Sequence, residues 1–160
     1  MILWRLCRQR HAKQSLDGEG ARLYGGRWNF PGTAVAYTAE TLALAALEVL
    51  VHVDHDLAPT DLVAIPIDVP ASIRTEAIQL SELPQHWQHT PAPEQLQELG
   101  STWIRRGSSL LLRVPSVVIP EEHNYLVNPA HRDFPRLRVG KSRPFAFDPR
   151  LFKELRRERT

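Results

Sequence analysis

The chain has 160 residues, of which 42% are hydrophobic and 24% charged, and its formal net charge is +2. This composition excludes a disordered polar protein, and the length suits one domain, residues 1–160, with a sizeable core. A single cysteine, Cys7, excludes an intramolecular disulfide and favours a reducing compartment, so we expect a cytoplasmic protein. We expect no signal peptide, because the apolar run before Arg5 is too short, and no membrane insertion, because no run approaches a span of about 18 residues.

Short apolar and aromatic runs predict a set of strands that is spread along the chain. The expected strands are 2–7, 34–39, 62–69, 109–114 and 144–148. Between the first two lies a connection, 17–32, that holds five of the eight glycines and has the composition of a flexible loop.

Helices are expected at three places. Alanine and leucine dominate 40–53, where Thr38 is the expected capping residue. Amphipathic spacing predicts a second helix at 92–107, interrupted by Gly100, and a third from about Pro149 onward. Because strands and helices alternate without a steady rhythm, the sequence indicates an α+β fold.

Glu48 is a charged residue in the otherwise apolar segment between Thr41 and Val51. Burial of a carboxylate without a partner costs free energy, so Glu48 is expected to face either water or a functional site. In the first case it belongs to a narrow solvated stripe with His52, one helical turn later.

Arg27 stands in the segment "YGGRWNFPG". A guanidinium matches two phosphate oxygens at once, and the neighbouring glycines allow backbone amides to approach the same anion. The sequence has neither GxxxxGK[ST] nor GxGxxG, so a prediction of nucleotide binding cannot rest on either of these motifs.

Ser116 lies between Pro115 and Pro120, at the expected end of a strand. Because GxSxG is absent, we interpret it as a hydrogen-bonding group and not as a nucleophile. Trp28, Trp87 and Trp103 are expected to anchor the core or its loops.

Two histidine pairs, His52 with His55 and His86 with His89, have spacings that a metal tolerates, but neither has a recognisable third ligand, so we expect no metal. Basic residues concentrate at 132–143 and in the last residues, "KELRRERT". Because no aromatic residues are interleaved with these basic residues, they favour a solvated surface. A nucleic-acid-binding module remains an alternative.

Three segments together resemble the RES domain family, named for an arginine, a glutamate and a serine. They are "GARLYGGRWNFPGTAVAYTAETLALAALEVLVH", "LLLRVPSVVIPEEHNYLVNPAH" and "PFAFDPRLF". The most specific parts are the Gly-Gly-Arg-Trp-Asn run, the tyrosine ten residues after the arginine, and Val-Pro-Ser followed by Asn-Pro.

The resemblance implies a fold similar to the ADP-ribosyltransferases, with a split, mixed β-sheet core, flanking helices and a cleft for NAD+, which is consumed as substrate without a metal. By position, Arg27, Glu48 and Ser116 match the three naming residues, Tyr37 matches a cleft tyrosine, and Asn128 occupies the Asn-Pro position. All five are candidates for binding NAD+, and the first three for catalysis.

The resemblance also implies the toxin of a bacterial toxin–antitoxin pair, whose antitoxin carries a helix-turn-helix (Xre-like) DNA-binding domain. Neither membrane association nor direct nucleic-acid binding is expected of the toxin itself. The sequence leaves open whether NAD+ is hydrolysed, cleaved by phosphate, or used to ADP-ribosylate a protein.

Overall fold

The computed structural model describes residues 1–53 and 59–152. The strands are β1 (Ile2–Arg8), β2 (Ala36–Ala39), β3 (Leu62–Asp68), β4 (Thr75–Ala77), β5 (Leu111–Pro115), β6 (His123–Val127), β7 (Arg138–Val139) and β8 (Arg143–Phe145). The α-helices are α1 (Glu19–Tyr24), α2 (Leu42–Leu50) and α3 (Glu94–Arg106). Short 3-10 turns occur at Gln9–Gln14, Leu80–Glu82, Phe134–Arg136 and Pro149–Phe152.

All eight strands join one sheet in the order β4-β5-β6-β2-β1-β3-β7, and β8 also pairs with β3. The pair β4–β5 is parallel and the other pairs are antiparallel. This mixed sheet with few helices confirms the predicted α+β class.

The helices α2 and α3 cover one face of the sheet. Leu44 and Ala45 of α2 pack on β1, β2 and β3, whereas Leu96 and Trp103 of α3 pack against β5 and β6. The opposite face carries a third apolar cluster around Leu3, Ile67, Leu111, Tyr125 and Val127. Strand alternation therefore assigns each strand residue to the helical face or to the other face.

The predicted capping residue of α2 was wrong. The helix begins after Thr41, whose backbone is extended and whose Oγ1 accepts a hydrogen bond from the Leu44 amide at 3.0 Å. Thr38 lies inside β2 instead, where its buried hydroxyl donates to the Tyr125 carbonyl. The helix is consequently shorter than predicted at both ends.

Gly100 does not interrupt the second helix, contrary to the sequence prediction. The helix α3 runs through it without a break, and a Cβ at Gly100 would lie only 1.9 Å from the Trp28 carbonyl oxygen. Glycine is therefore needed because the backbone that precedes Asn29 approaches the helix closely.

Other boundaries also differ from the predictions. The glycine-rich connection contains the short helix α1, and β4, β6 and β7 were not predicted. The C-terminal helix appears as the 3-10 turn Pro149–Phe152, and the rest of that prediction lies outside the described residues. Among residues 1–53 and 59–152, no helix has the length and apolar character needed to cross a membrane.

Candidate active site

Glu48 projects from α2 toward the ends of β5 and β6. Its Oε1 accepts a hydrogen bond from the Ser116 hydroxyl at 2.8 Å and another from the Asn124 side-chain amide at 2.5 Å. The side chain is half-buried. Glu48 is therefore held by partners in the sheet and does not belong to a solvated helix stripe.

Ser116 follows directly on β5 and is fully buried. Its hydroxyl oxygen accepts hydrogen bonds from the amides of Val118 and Ile119, at 3.0 and 3.1 Å, while the hydroxyl donates to Glu48. A serine hydroxyl has one hydrogen, which is used here. Ser116 is thus placed to orient the carboxylate rather than to contact a ribose.

Tyr37 lies in β2 and ties down the loop that carries Arg27. Its hydroxyl accepts a hydrogen bond from the Trp28 amide at 3.0 Å and donates to Asn29 Oδ1 at 2.7 Å. A Cβ at Gly26 would lie 2.6 Å from this hydroxyl, so glycine is required there. Burial raises the pKa of Tyr37 well above its usual range, although the Trp28 amide opposes the shift, so the phenol remains a donor.

The Arg27 loop is also fastened to α3. The Gln97 side chain donates to the carbonyl oxygens of Gly26 and Asn29, at 3.1 and 3.3 Å, and the Ser101 hydroxyl accepts from the Phe30 amide at 3.0 Å. The Asn29 side chain is fully buried. The segment is irregular but is held by side-chain hydrogen bonds to β2 and α3, in contrast to the flexible connection that its glycines suggested.

Arg27 is half-buried beside a second loop. One terminal nitrogen, Nη1, donates to the carbonyl oxygens of Trp87 and His89, at 2.9 and 3.1 Å, and the other, Nη2, lies 3.5 Å from Thr90 Oγ1. Burial lowers the pKa of the guanidinium, while the negative charge of Glu48 raises it. Arg27 and Glu48 are therefore close enough to influence each other electrostatically.

The guanidinium is only partly committed to these loop contacts. A guanidinium has five N–H donors, and three of them are directed to the carbonyl oxygens of Trp87 and His89 and to the Thr90 hydroxyl. Within the described part of the chain, no acceptor contacts Arg27 Nε. Donors thus remain for an anion.

Asn128 lies apart from Glu48 and Ser116. It follows the far end of β6, where its side chain accepts from the Ala130 amide at 3.0 Å. There it borders a polar cavity of about 440 Å³ with Ser108, His131 and Arg132. A second, apolar cavity of about 320 Å³ lies between α2 and the segment from Phe145 to Leu151. Neither cavity is lined by Arg27, Tyr37, Glu48 or Ser116.

No group of three or more metal-ligating side chains of the His, Cys, Asp and Glu types occurs within residues 1–53 and 59–152. The His86 and His89 rings lie 5.6 Å apart at the surface, and His55 falls outside the described residues. The three tryptophans form part of one buried cluster, which confirms their prediction as anchors.

Sequence reasoning missed Asn124, Asn29 and Gln97. The strand pattern contains a signal for Asn124. It stands two residues before the buried Leu126, so both side chains lie on the face of the sheet that α2 and α3 cover. A polar side chain on the buried face of a strand needs a partner, and Glu48 is that partner. Gln97 has no comparable signal, because its partners are backbone atoms of a distant segment, and Asn29 has none because its partners are mostly backbone carbonyls of its own loop.

Known proteins with related sequences cover almost the whole chain. A protein named "Toxin Res" from Photorhabdus laumondii is 39% identical over 155 residues, which is 96% of this chain and 98% of the relative. A protein named "Prs ADP-ribosylating toxin" from a Sphingobium species is 36% identical over 155 residues, 94% of this chain and 96% of that protein.

A solved structure shares the fold. A chain in the crystal structure of the M. tuberculosis MbcT–MbcA toxin–antitoxin complex superposes with a TM-score of 0.71, covering 97% of this chain and 88% of the other. Its sequence identity is 20%. The sequence profile of the RES domain family matches residues 2–148, which contain Arg27, Glu48 and Ser116. The chain therefore belongs to the RES domain family.

Proposed function

We propose that this protein is the toxin of a cytoplasmic toxin–antitoxin pair and that it cleaves the nicotinamide–ribose bond of NAD+, thereby depleting the cell of NAD+. The observation that carries the proposal is the Glu48 carboxylate, which hydrogen bonds from Ser116 and Asn124 hold in place. The names of the relatives agree with a toxin, and one of them includes ADP-ribosylation.

Glu48 has the charge that this reaction requires. When the bond between the ribose C1 and the nicotinamide nitrogen breaks, its electron pair stays with the nitrogen and positive charge develops on the ribose. A carboxylate close to this charge stabilises the transition state more than the ground state. Nicotinamide leaves as a neutral molecule, and water then bonds to C1 and releases a proton, which gives ADP-ribose.

Arg27 supplies the complementary charge for the other end of the substrate. The donors that remain beside its bonds to Trp87 and His89 suit the pyrophosphate of NAD+. An anion on Arg27 and a developing cation near Glu48 give the substrate one orientation. We assign the ring of Tyr37 to packing on nicotinamide, because the hydroxyl is occupied by the loop.

Transfer of ADP-ribose to a protein is the second candidate, and the name of the Sphingobium relative favours it. The same bond breaks in both reactions, and only the group that then bonds to C1 differs: water, inorganic phosphate or a protein side chain. An antitoxin with a helix-turn-helix domain is the proposed partner, which would cover the substrate entrance near Arg27. No metal is assigned to the reaction.

Product analysis tests the proposal. The purified protein is incubated with NAD+ labelled in its adenine moiety, with and without inorganic phosphate, and in the presence of a bacterial lysate. Free nicotinamide with ADP-ribose supports hydrolysis, a phosphorylated ADP-ribose supports phosphorolysis, and radiolabelled protein supports transfer. If NAD+ remains intact under all three conditions, NAD+ cleavage is wrong.

A further inference from the structure

Asn124 contacts the carboxylate on which the proposed reaction depends, although it does not belong to the three residues that name the family. We infer that Asn124 is a positioning residue: together with Ser116 it fixes Glu48 so that one carboxylate oxygen is occupied and the other faces the substrate. This inference rests on the proposed function.

The two donors converge on the same atom. Asn124 Nδ2 and the Ser116 hydroxyl both donate to Glu48 Oε1, at 2.5 and 2.8 Å. A carboxylate only accepts hydrogen bonds, so the Asn124 side chain must present its NH₂ group and not its carbonyl oxygen. Two donors from different parts of the chain restrict rotation of the carboxylate more than either donor alone.

The second oxygen of Glu48 remains available. Within the described residues no donor contacts Oε2, and this atom is not among the buried polar atoms that lack a partner. It is therefore open to solvent. Because Oε1 is occupied, Oε2 is the atom that can meet a ribose hydroxyl or the developing positive charge.

Asn124 is itself held at a defined distance from α2. The residues that precede it contact the start of the helix: Glu122 accepts from the Thr41 hydroxyl at 3.2 Å, and the His123 amide donates to the Glu40 carboxylate at 2.7 Å. In the sheet, Asn124 is paired with Ala39 of β2. The two residues that precede α2 are thus joined to the beginning of β6 at several points, and the Asn124 side chain extends this junction to Glu48.

Two substitutions of Asn124 separate positioning from packing. Asn124→Asp keeps the shape but replaces the donor with a second negative charge, whereas Asn124→Ala removes the donor and leaves space. If Asn124 positions Glu48, kcat for nicotinamide release falls by on the order of tenfold to a hundredfold in Asn124→Ala, with KM changed by less than about threefold. Asn124→Asp is then the more damaging substitution, because two carboxylates cannot both be charged at this distance.

Three further measurements make the test decisive. Ser116→Ala combined with Asn124→Ala should be non-additive, because both side chains act on the same oxygen. Glu121→Gln, an exposed carboxylate just before β6, is the control and should keep the wild-type rate. The ¹³C NMR signal of the Glu48 carboxyl carbon should shift in Asn124→Ala and stay unchanged in Glu121→Gln.

The outcomes distinguish this inference from the proposed function. If wild-type protein releases no nicotinamide, the proposed function fails, while the Glu48 carboxyl signal still reports whether Asn124 holds it. If Asn124→Ala leaves both the signal and kcat unchanged, the inference is wrong. It is equally wrong if Asn124→Asp is the milder substitution and the loss of rate follows the loss of thermal stability, since Asn124 then acts through packing.

Discussion

The two charged residues of the site are held in opposite ways. Glu48 stands on a helix, and its partners follow or begin regular strands, β5 and β6. Arg27 stands on an irregular loop that is fixed by side chains bonded to backbone atoms, chiefly those of Asn29, Gln97 and Tyr37. The position of the Glu48 carboxylate therefore depends on a few side chains, whereas the position of Arg27 depends on the backbone path of its loop.

This difference predicts where substitutions act. Changes around Glu48 should alter the rate and leave the fold intact. Changes around the Arg27 loop should first alter stability, because the loop packs into the cluster of Trp28, Trp87 and Trp103. The predictions below test this separation.

The largest effect on stability is expected from Gly100→Ala, since its Cβ would collide with the Trp28 carbonyl oxygen. We expect the free energy of unfolding to fall by about 3 kcal/mol, measured by urea denaturation. The control is Gly20→Ala in α1, where no heavy atom lies within 4 Å of the new Cβ. That substitution should leave stability unchanged or raise it by at most about 1 kcal/mol. Equal results for the two variants would contradict the close approach of loop and helix.

A smaller loss is expected from Tyr37→Phe. Removal of the hydroxyl leaves the Trp28 amide and Asn29 Oδ1 without this partner inside the protein, which costs about 2 kcal/mol in the free energy of unfolding. Tyr24→Phe serves as the control, because Tyr24 is 84% exposed. If thermal denaturation shows no difference between the two variants, the hydroxyl does not fasten the loop.

The smallest effect is expected from Arg27→Lys, measured as KM for NAD+. An ammonium keeps the charge but cannot hold the Trp87 and His89 carbonyls and a phosphate with the same fork, so KM should rise about tenfold. Arg22→Lys is the control, because Arg22 is exposed and paired with Glu19. An unchanged KM in Arg27→Lys would mean that Arg27 serves the loop and not the substrate.

The sequence alone predicts those parts of the fold that depend on local patterns of residues. The α+β class, the principal helix with Glu48 and the strands next to it follow from apolar runs and their spacing. A predicted boundary is wrong where a single side chain determines it, as at Thr41, whose hydroxyl caps α2.

Long-range contacts explain the remaining errors. Gly100 was interpreted as a helix breaker because nothing local reveals that the Trp28 carbonyl lies against it. Asn128 stays a predicted NAD+-binding residue, which the structure places at the other end of β6 from Asn124. Short strands such as β4 and β7 gain their stability from pairing with distant neighbours, so their few residues do not show a pattern.

The central claim is that the Glu48 carboxylate stabilises the charge that forms when the nicotinamide–ribose bond breaks. The most direct test is kcat for nicotinamide release by Glu48→Gln beside the wild type, with circular dichroism spectra of both proteins. The substitution is nearly isosteric and removes only the negative charge. We predict an unchanged spectrum and a kcat that is lower by on the order of a hundredfold or more. A folded Glu48→Gln protein that releases nicotinamide at the wild-type rate would contradict the account.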